Sequence, residues 1–250
     1  MFSSVKSLLA IATIALISGC ASPVPKIDIS PNTLTNVKTV AVIRSPEPKT
    51  YTVYDFFHLG RAFGFIGGMI AIADQYKKQE LLTQAIKEKN ETPTSDTLAQ
   101  SIATQLAYQG FDAKVEEGSW EEIDNGFKIE FEKITSNADA ILVVAPTTIG
   151  FISTSATSGY LPTITAVLTL FGEDRKEPLY RGFHATGWLP NAGGWRYSPP
   201  KVTFSDFGTL MSDPEKAATA LSDAASGIAV TVAEDLNLKA AVDHQENNKE

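Results

Sequence analysis

Few residues in this chain have both the type and the placement for covalent or acid–base chemistry. Cys20 is the only cysteine. It follows Leu16-Ile17-Ser18-Gly19, an apolar run that starts at Leu8, and one upstream basic residue, Lys6. A basic start, about ten apolar residues and small side chains at a cleavage point make a secretory signal. Ser18 and Gly19 give a peptidase room, and the Cys20 thiol is placed to accept a diacylglycerol as the first residue of the processed chain. Three acyl chains of palmitate type, each buried methylene contributing roughly 0.8 kcal/mol, would make such an anchor effectively permanent. The run is too short for a spanning helix, which needs about 20 apolar residues.

The other candidate groups do not assemble. His58, His184 and His244 are far apart, with no HxxH or HExxH pair to set two imidazoles on one helical face, so no metal site is expected. Ser153, Ser155 and Ser158 in GFISTSATSG lie in no GxSxG elbow. Gly64, Gly67 and Gly68 lack the lysine of a phosphate-binding loop, and no cofactor is expected. Glu116-Glu117 and Glu121-Glu122 read as solvated faces. Nothing in the sequence points to catalysis.

Two sets of residues suit binding instead. Gly60, Gly64 and Gly68 recur every fourth residue in the apolar segment 56–73 and, on a helix, form one smooth ridge. Glycine costs a helix about 1 kcal/mol relative to alanine, so a compensating close contact is expected. That contact is a sheet within the domain, a membrane, or a second helix in a GxxxG pair. A glycine-rich loop before a helix starting near Gly68 fits as well. The second set is Trp188, Trp195 and Tyr197, which suit a partner-binding surface or local packing under a long loop.

The elements that would carry these residues follow from periodicity. Residues 20–36, with Pro23, Pro25 and Pro31, read as a lipidated, extended tether reaching about 45 Å. Val37–Ile43 is a strand buried on both faces. After segment 56–73 a helix continues through Asp74–Glu91, with Met69, Ile72, Tyr76, Leu82 and Ile86 inward. Thr92–Ser95 offers a cap for a second helix carrying Leu98, Ile102 and Leu106, and Gly110 ends it. Phe111–Glu116 alternates as a strand. Ser119–Ser136 fits either state, and a helix is favoured. Ile141–Ala145 is a buried strand, and Pro146–Gly159 reads as an exposed loop. Thr163–Phe171 and Leu179–Thr186 form a hairpin with one face in water. Asp213-Pro214 opens a last helix whose stripe is Leu221, Ala225, Ile228, Val232 and Leu236, and 241–250 is a polar, disordered tail.

Composition bounds the rest. Of 250 residues, 231 remain once 1–19 are removed, enough for one domain with a real core at 37–240. The net charge is −8 over the whole chain and −9 without Lys6, which argues against nucleic acid as a partner. With its one thiol lipidated, the processed chain has no disulfide. This order of elements describes an α/β fold, a two-layer or three-layer-like sandwich with helices on a mixed sheet.

The start of the chain resembles the bacterial lipoprotein signal. Because Ala21 and Ser22 are not the aspartate of inner-membrane retention, the resemblance implies an outer-membrane, lipid-anchored, periplasm-facing protein. The segments VKTVAVI, LAYQGFDAKV, ADAILVVA and TITAVLTLF, with the last helix, resemble the small α/β domain of one group. That group comprises the curli-secretion lipoprotein, the penicillin-binding-protein activator and the amino-terminal domain of TolB. The resemblance implies an accessory or assembly factor that binds an envelope protein or cell-wall component. A homo-oligomeric secretion component using the glycine ridge is the alternative, and an uncharacterised hydrolase a further one. The glycine-rich insertion departs from the group.

Overall fold

The computed structural model describes residues 24–30, 33–58, 64–123, 126–155, 157–190 and 193–236. Cys20, Gly60, His244, the signal segment and the polar tail lie outside the described residues.

The chain runs β1 (Thr39–Arg44), β2 (Thr52–Asp55), α1 (Gly64–Lys89), α2 (Thr94–Tyr108), β3 (Asp112–Glu117), β4 (Trp120–Ile123) and β5 (Gly126–Ile129). It continues with β6 (Ala140–Ser153), β7 (Leu161–Gly172), β8 (Pro178–Thr186), β9 (Trp195–Ser198), α3 (Phe207–Ser212) and α4 (Pro214–Leu236). The main sheet has the order β3-β1-β6-β7-β8-β9, and β2 pairs with β6 as a seventh strand. β3, β1 and β6 are mutually parallel, as are β2 and β6, whereas β6-β7-β8 is antiparallel and β9 returns parallel to β8. The fold is therefore α/β on a mixed sheet, with a separate two-stranded sheet made by β4 and β5.

Strand alternation sends two sets of side chains to opposite faces. Val40, Val42, Leu142, Val144, Ile164, Ala166, Leu168 and Leu170 meet the helices in one large core. α2 contributes Leu98, Ile102 and Leu106, and α4 contributes the whole expected stripe from Leu221 to Leu236. Each such Leu or Ile, fully buried, contributes about 1.5–3 kcal/mol. Ala41, Ile43, Ile141, Val143 and Phe171 form a smaller core on the other face, covered by Trp120, Ile129, Phe131 and Ala138. Asp213 caps α4, accepting from the Lys216 N–H at 3.0 Å, as its place before Pro214 predicts.

Several elements differ from the sequence reading. Ser119–Ser136 is not a helix: β4 and β5 pair antiparallel in register from Trp120↔Ile129 to Ile123↔Gly126, and a single 3-10 turn follows at Phe131–Lys133. The four-residue spacing of Ile123, Phe127 and Phe131 is incidental, for Ile123 is exposed while Trp120 and Ile129 turn onto the sheet. Pro146–Gly159 is not an exposed loop: β6 runs on to Ser153, with Ile149, Phe151 and Ile152 buried. A bulge between Pro146 and Thr148 lets the strand absorb the proline, and the β-branched threonines that resemble loop composition also suit a strand. The polar face of β7 meets water over only half its length, where Val167 and Thr169 are half-buried. Thr163 and Thr165 are buried, their hydroxyls engaged with the Leu161 carbonyl at 3.0 Å and Thr147 Oγ1 at 2.8 Å. Short strands β2 and β9 and helix α3 have no sequence periodicity of useful length.

The segment expected as a tether is docked along part of its length. Ile27 exchanges both backbone hydrogen bonds with Arg181 of β8, at 3.0 and 2.8 Å, and Leu34 is buried in the main core. Within α1, Leu82 and Ile86 face inward as expected, but Met69, Ile72 and Tyr76 point to solvent, and Ala71 is buried in their place.

Candidate functional site

A cleft opens where the main sheet is interrupted. β1 pairs with β6 only as far as Ile43↔Val143, and β2 resumes on the same edge at Thr52↔Gly150. Between them the chain leaves the sheet over residues 45–51, where Pro46 and Pro48 have no N–H to continue a ladder. Among the described residues no strand pairs with this edge of β6 from Val144 to Ile149. Gly150 permits the return of β2. Its φ is +156°, and a Cβ there would stand 1.9 Å from the Thr52 carbonyl oxygen.

The detached loop is held by its charged and aromatic residues. The Glu47 carboxylate accepts from the Thr94 N–H at 3.2 Å, the Ser95 N–H at 2.8 Å and the Ser95 hydroxyl at 2.5 Å, and so caps α2 from a distance of some fifty residues. The expected local cap is not made: the N-cap position is Pro93, which has no side-chain acceptor. The buried Tyr51 hydroxyl donates to the same carboxylate, and burial, then the Glu47 charge, push its pKa up. Lys49 forms an ion pair with Glu122 across the rim. Arg44 pairs with Asp96 at 2.5 Å and with Glu117, whose hydrogen bond is the main reason its pKa is raised. Trp120 Nε1 donates to the Arg44 carbonyl at 2.8 Å and fixes the hairpin over the end of β1.

These parts enclose about 470 Å³, within the usual range for a ligand site. One wall is the open edge of β6 from Ala145 to Ile149, and the others are the proline loop and the β4–β5 hairpin with Trp120, Ile123 and Phe127. Among the described residues its polar side chains are the Ser45 and threonine hydroxyls, the Trp120 indole and one ion pair. Such a set is suited to hold an extended or amide-bearing ligand by hydrogen bonds and contact.

Of the described residues singled out by sequence, Glu122 lines this cleft, and the glycines, serines, histidines and loop aromatics do not. Gly64 is the first residue of α1. Gly68 lies in α1 with nothing within 4 Å of an added Cβ, so it makes no close approach to the sheet. Trp188 stands against Phe56, ring centroids 6.0 Å apart, whereas Trp195 packs on Phe183 at 5.5 Å and Tyr197 is 42% exposed. The aromatics therefore divide between two places. Ser158 Oγ accepts from the Thr154 and Ser155 N–H groups at 3.0 and 2.9 Å, which ties it into its own turn.

Two histidines sit in polar clusters. His58 Nε2 is 3.1 Å from Asp74, which also pairs with Lys78 at 2.7 Å. Burial works against the Asp74 charge, but Lys78 and then His58 outweigh it and hold the carboxyl below its usual range. His184 is fully buried between Tyr180 Oη at 2.8 Å and Thr231 Oγ1 at 2.9 Å, so both ring nitrogens are engaged in either tautomer. Tyr180 donates onward to Asp235 at 3.2 Å, and Arg196 binds the other oxygen of Asp235 at 2.9 Å. This network joins β8, β9 and α4. Burial first, then the Arg196 and Lys26 charges, push the imidazole down to about 3.

The sequence offered no signal for the cleft beyond Pro46 and Pro48, because an open strand edge exists only once three strands are aligned. No family model matches the chain. No curated protein matches it. Among solved structures it is similar to a PelC dodecamer from Paraburkholderia phytofirmans, at 12% identity and a TM-score of 0.28, over 80% of this chain and 93% of that one.

Proposed function

We propose that this chain is a non-catalytic, lipid-anchored lipoprotein of the outer membrane that binds another envelope component as an accessory or assembly factor. The anchor is Cys20, read from the sequence around it, and the binding site is the cleft beside β6. The observation that carries the binding role is the stretch Val144–Ile149, whose edge no strand covers among the described residues although paired strands stand on either side of it. An extended segment of a partner satisfies such an edge by backbone hydrogen bonds, with Trp120, Ile123 and Phe127 supplying apolar contact. Speaking for binding over catalysis, the ionisable side chains at the rim, Lys49 and Glu122, neutralise each other.

A photo-crosslinking residue tests this reading in intact envelopes. Placed at Thr148, on the cleft wall, it should yield one dominant adduct, while the same residue at Tyr197 should not. Adducts from Tyr197 alone, or none from Thr148, would remove the cleft from the proposal. Mass spectrometry of the processed amino terminus tests the anchor separately, since an unmodified Cys20 or cleavage elsewhere refutes it.

A further inference from the structure

Exposed apolar side chains gather at one end of the sheet. β2 ends there at Asp55, β6 at Ser153 and β8 at Thr186. Phe56 and Phe57 follow β2, Trp188 and Leu189 follow β8, and the Phe56 ring contacts both Trp188 and Tyr54. α1 begins at this end and runs back along β2. Near its start Met69, Ile70 and Ile72 are 57%, 60% and 54% exposed, while Ala71 is buried.

The described amino-terminal segment points to the same end. Ile27 pairs antiparallel with Arg181, so the chain traced back from Ile27 through exposed Val24 heads toward Thr186. Cys20 stands seven residues before Ile27, at most about 23 Å away along an extended chain.

We infer that this end of the domain seats in the headgroup–acyl boundary of the bilayer that holds the Cys20 lipid, an inference that rests on the lipid-anchor reading above. The distribution of polarity favours a bilayer over a second protein. At 3.6 residues per turn, the exposed apolar positions Met69, Ile70, Ile72, Ala73 and Tyr76 cover an arc of about 160°, too wide for the single seam that a partner helix fills. Polarity also changes along the axis of α1. Gly64–Ala73 has no charged residue, and Asp74, Lys78 and His58 then form a polar collar. Those ten residues rise about 15 Å, which reaches the acyl boundary but cannot cross a core of about 30 Å. Among the described residues no helix is long and apolar enough to cross a membrane. Aromatic side chains beside the apolar tip suit the interfacial region, where an amphipathic ring is at home.

The single cysteine makes the test direct, because a thioether-linked Cys20 leaves an introduced thiol unique. The full lipidated chain carrying Ile70→Cys or Phe57→Cys is labelled with an environment-sensitive fluorophore and reconstituted in phosphatidylethanolamine–phosphatidylglycerol vesicles. Tyr108→Cys is the control, being exposed and close before Asp112, which pairs with Thr39 at the opposite end of the sheet. The expected result is a blue shift with a several-fold rise in emission at positions 70 and 57, quenched by brominated acyl chains, and no change at 108. Equal emission at all three positions overturns the inference. A shift that fades as the protein is diluted in the membrane also overturns it, in favour of a second copy of the chain. Mass spectrometry of the same sample separates the two readings. A lipidated Cys20 with no shift sinks the seat alone, and a labelled, unlipidated Cys20 with a shift sinks the anchor alone.

Discussion

Acidification should weaken this domain through one residue, His184. An unfolded imidazole takes up a proton below its ordinary value of 6.5, whereas the folded one, buried against α4, resists until about pH 3. The folded state therefore binds fewer protons than the unfolded state between those limits, so stability is fully present above about pH 6.5 and is lost as pH falls. Between pH 7 and pH 5 the loss works out at about 2 kcal/mol, close to the limiting slope of about 1.4 kcal/mol per pH unit. It depends only on the folded value lying well below 5. The groups facing the ring are Tyr180 on β8, Thr231 and Asp235 on α4, and Arg196 on β9 with Lys26 as the nearby cations. His184→Gln keeps hydrogen-bonding capacity at that place and removes the titration. Urea unfolding of both proteins at pH 7, 6 and 5 should show the wild-type advantage shrinking by about 2 kcal/mol across the range, with all other titrating groups common to both curves. Parallel curves would mean that the imidazole reaches water or a proton donor in the folded state, and the argument from burial would fail.

Two further outcomes concern glycines. Gly150→Ala drives a Cβ into the Thr52 carbonyl at a backbone angle that L residues rarely adopt, so it should cost about 2 kcal/mol or more and expose the Val53 amide to hydrogen exchange as β2 detaches; a neutral result would mean that β2 does not stand on β6. Gly68→Ala meets open space on a helix and should raise the urea midpoint by an amount equivalent to up to about 1 kcal/mol, whereas a loss of stability would restore a close contact at the glycine ridge.

What the sequence determined was whatever depends on local period. The buried strands at 39–43 and 141–145, helix α2 between Pro93 and Gly110, the β7–β8 hairpin and the stripe of α4 all follow from alternation or four-residue recurrence closed by Pro, Gly or a capping carboxylate. The α/β class follows from their order, since alternating strands and helices can bury their apolar faces only as helices laid on a sheet. What the tertiary structure decided was every feature that needs two distant segments at once. Glu47 reads as a loop carboxylate until α2 is brought against it, and Thr163 and Thr165 read as a wet face until Thr147 and Gly187 close over them. Met69 and Ile72 carry the same apolar signal as Leu82 and Ile86, yet only the second pair lies over the sheet. Hydrophobicity fixes which residues gain from leaving water. Which of them find a neighbour, and where a strand edge or helix end is left without one, depends on the alignment of segments tens of residues apart, and that alignment set both the cleft beside β6 and the bare end of α1.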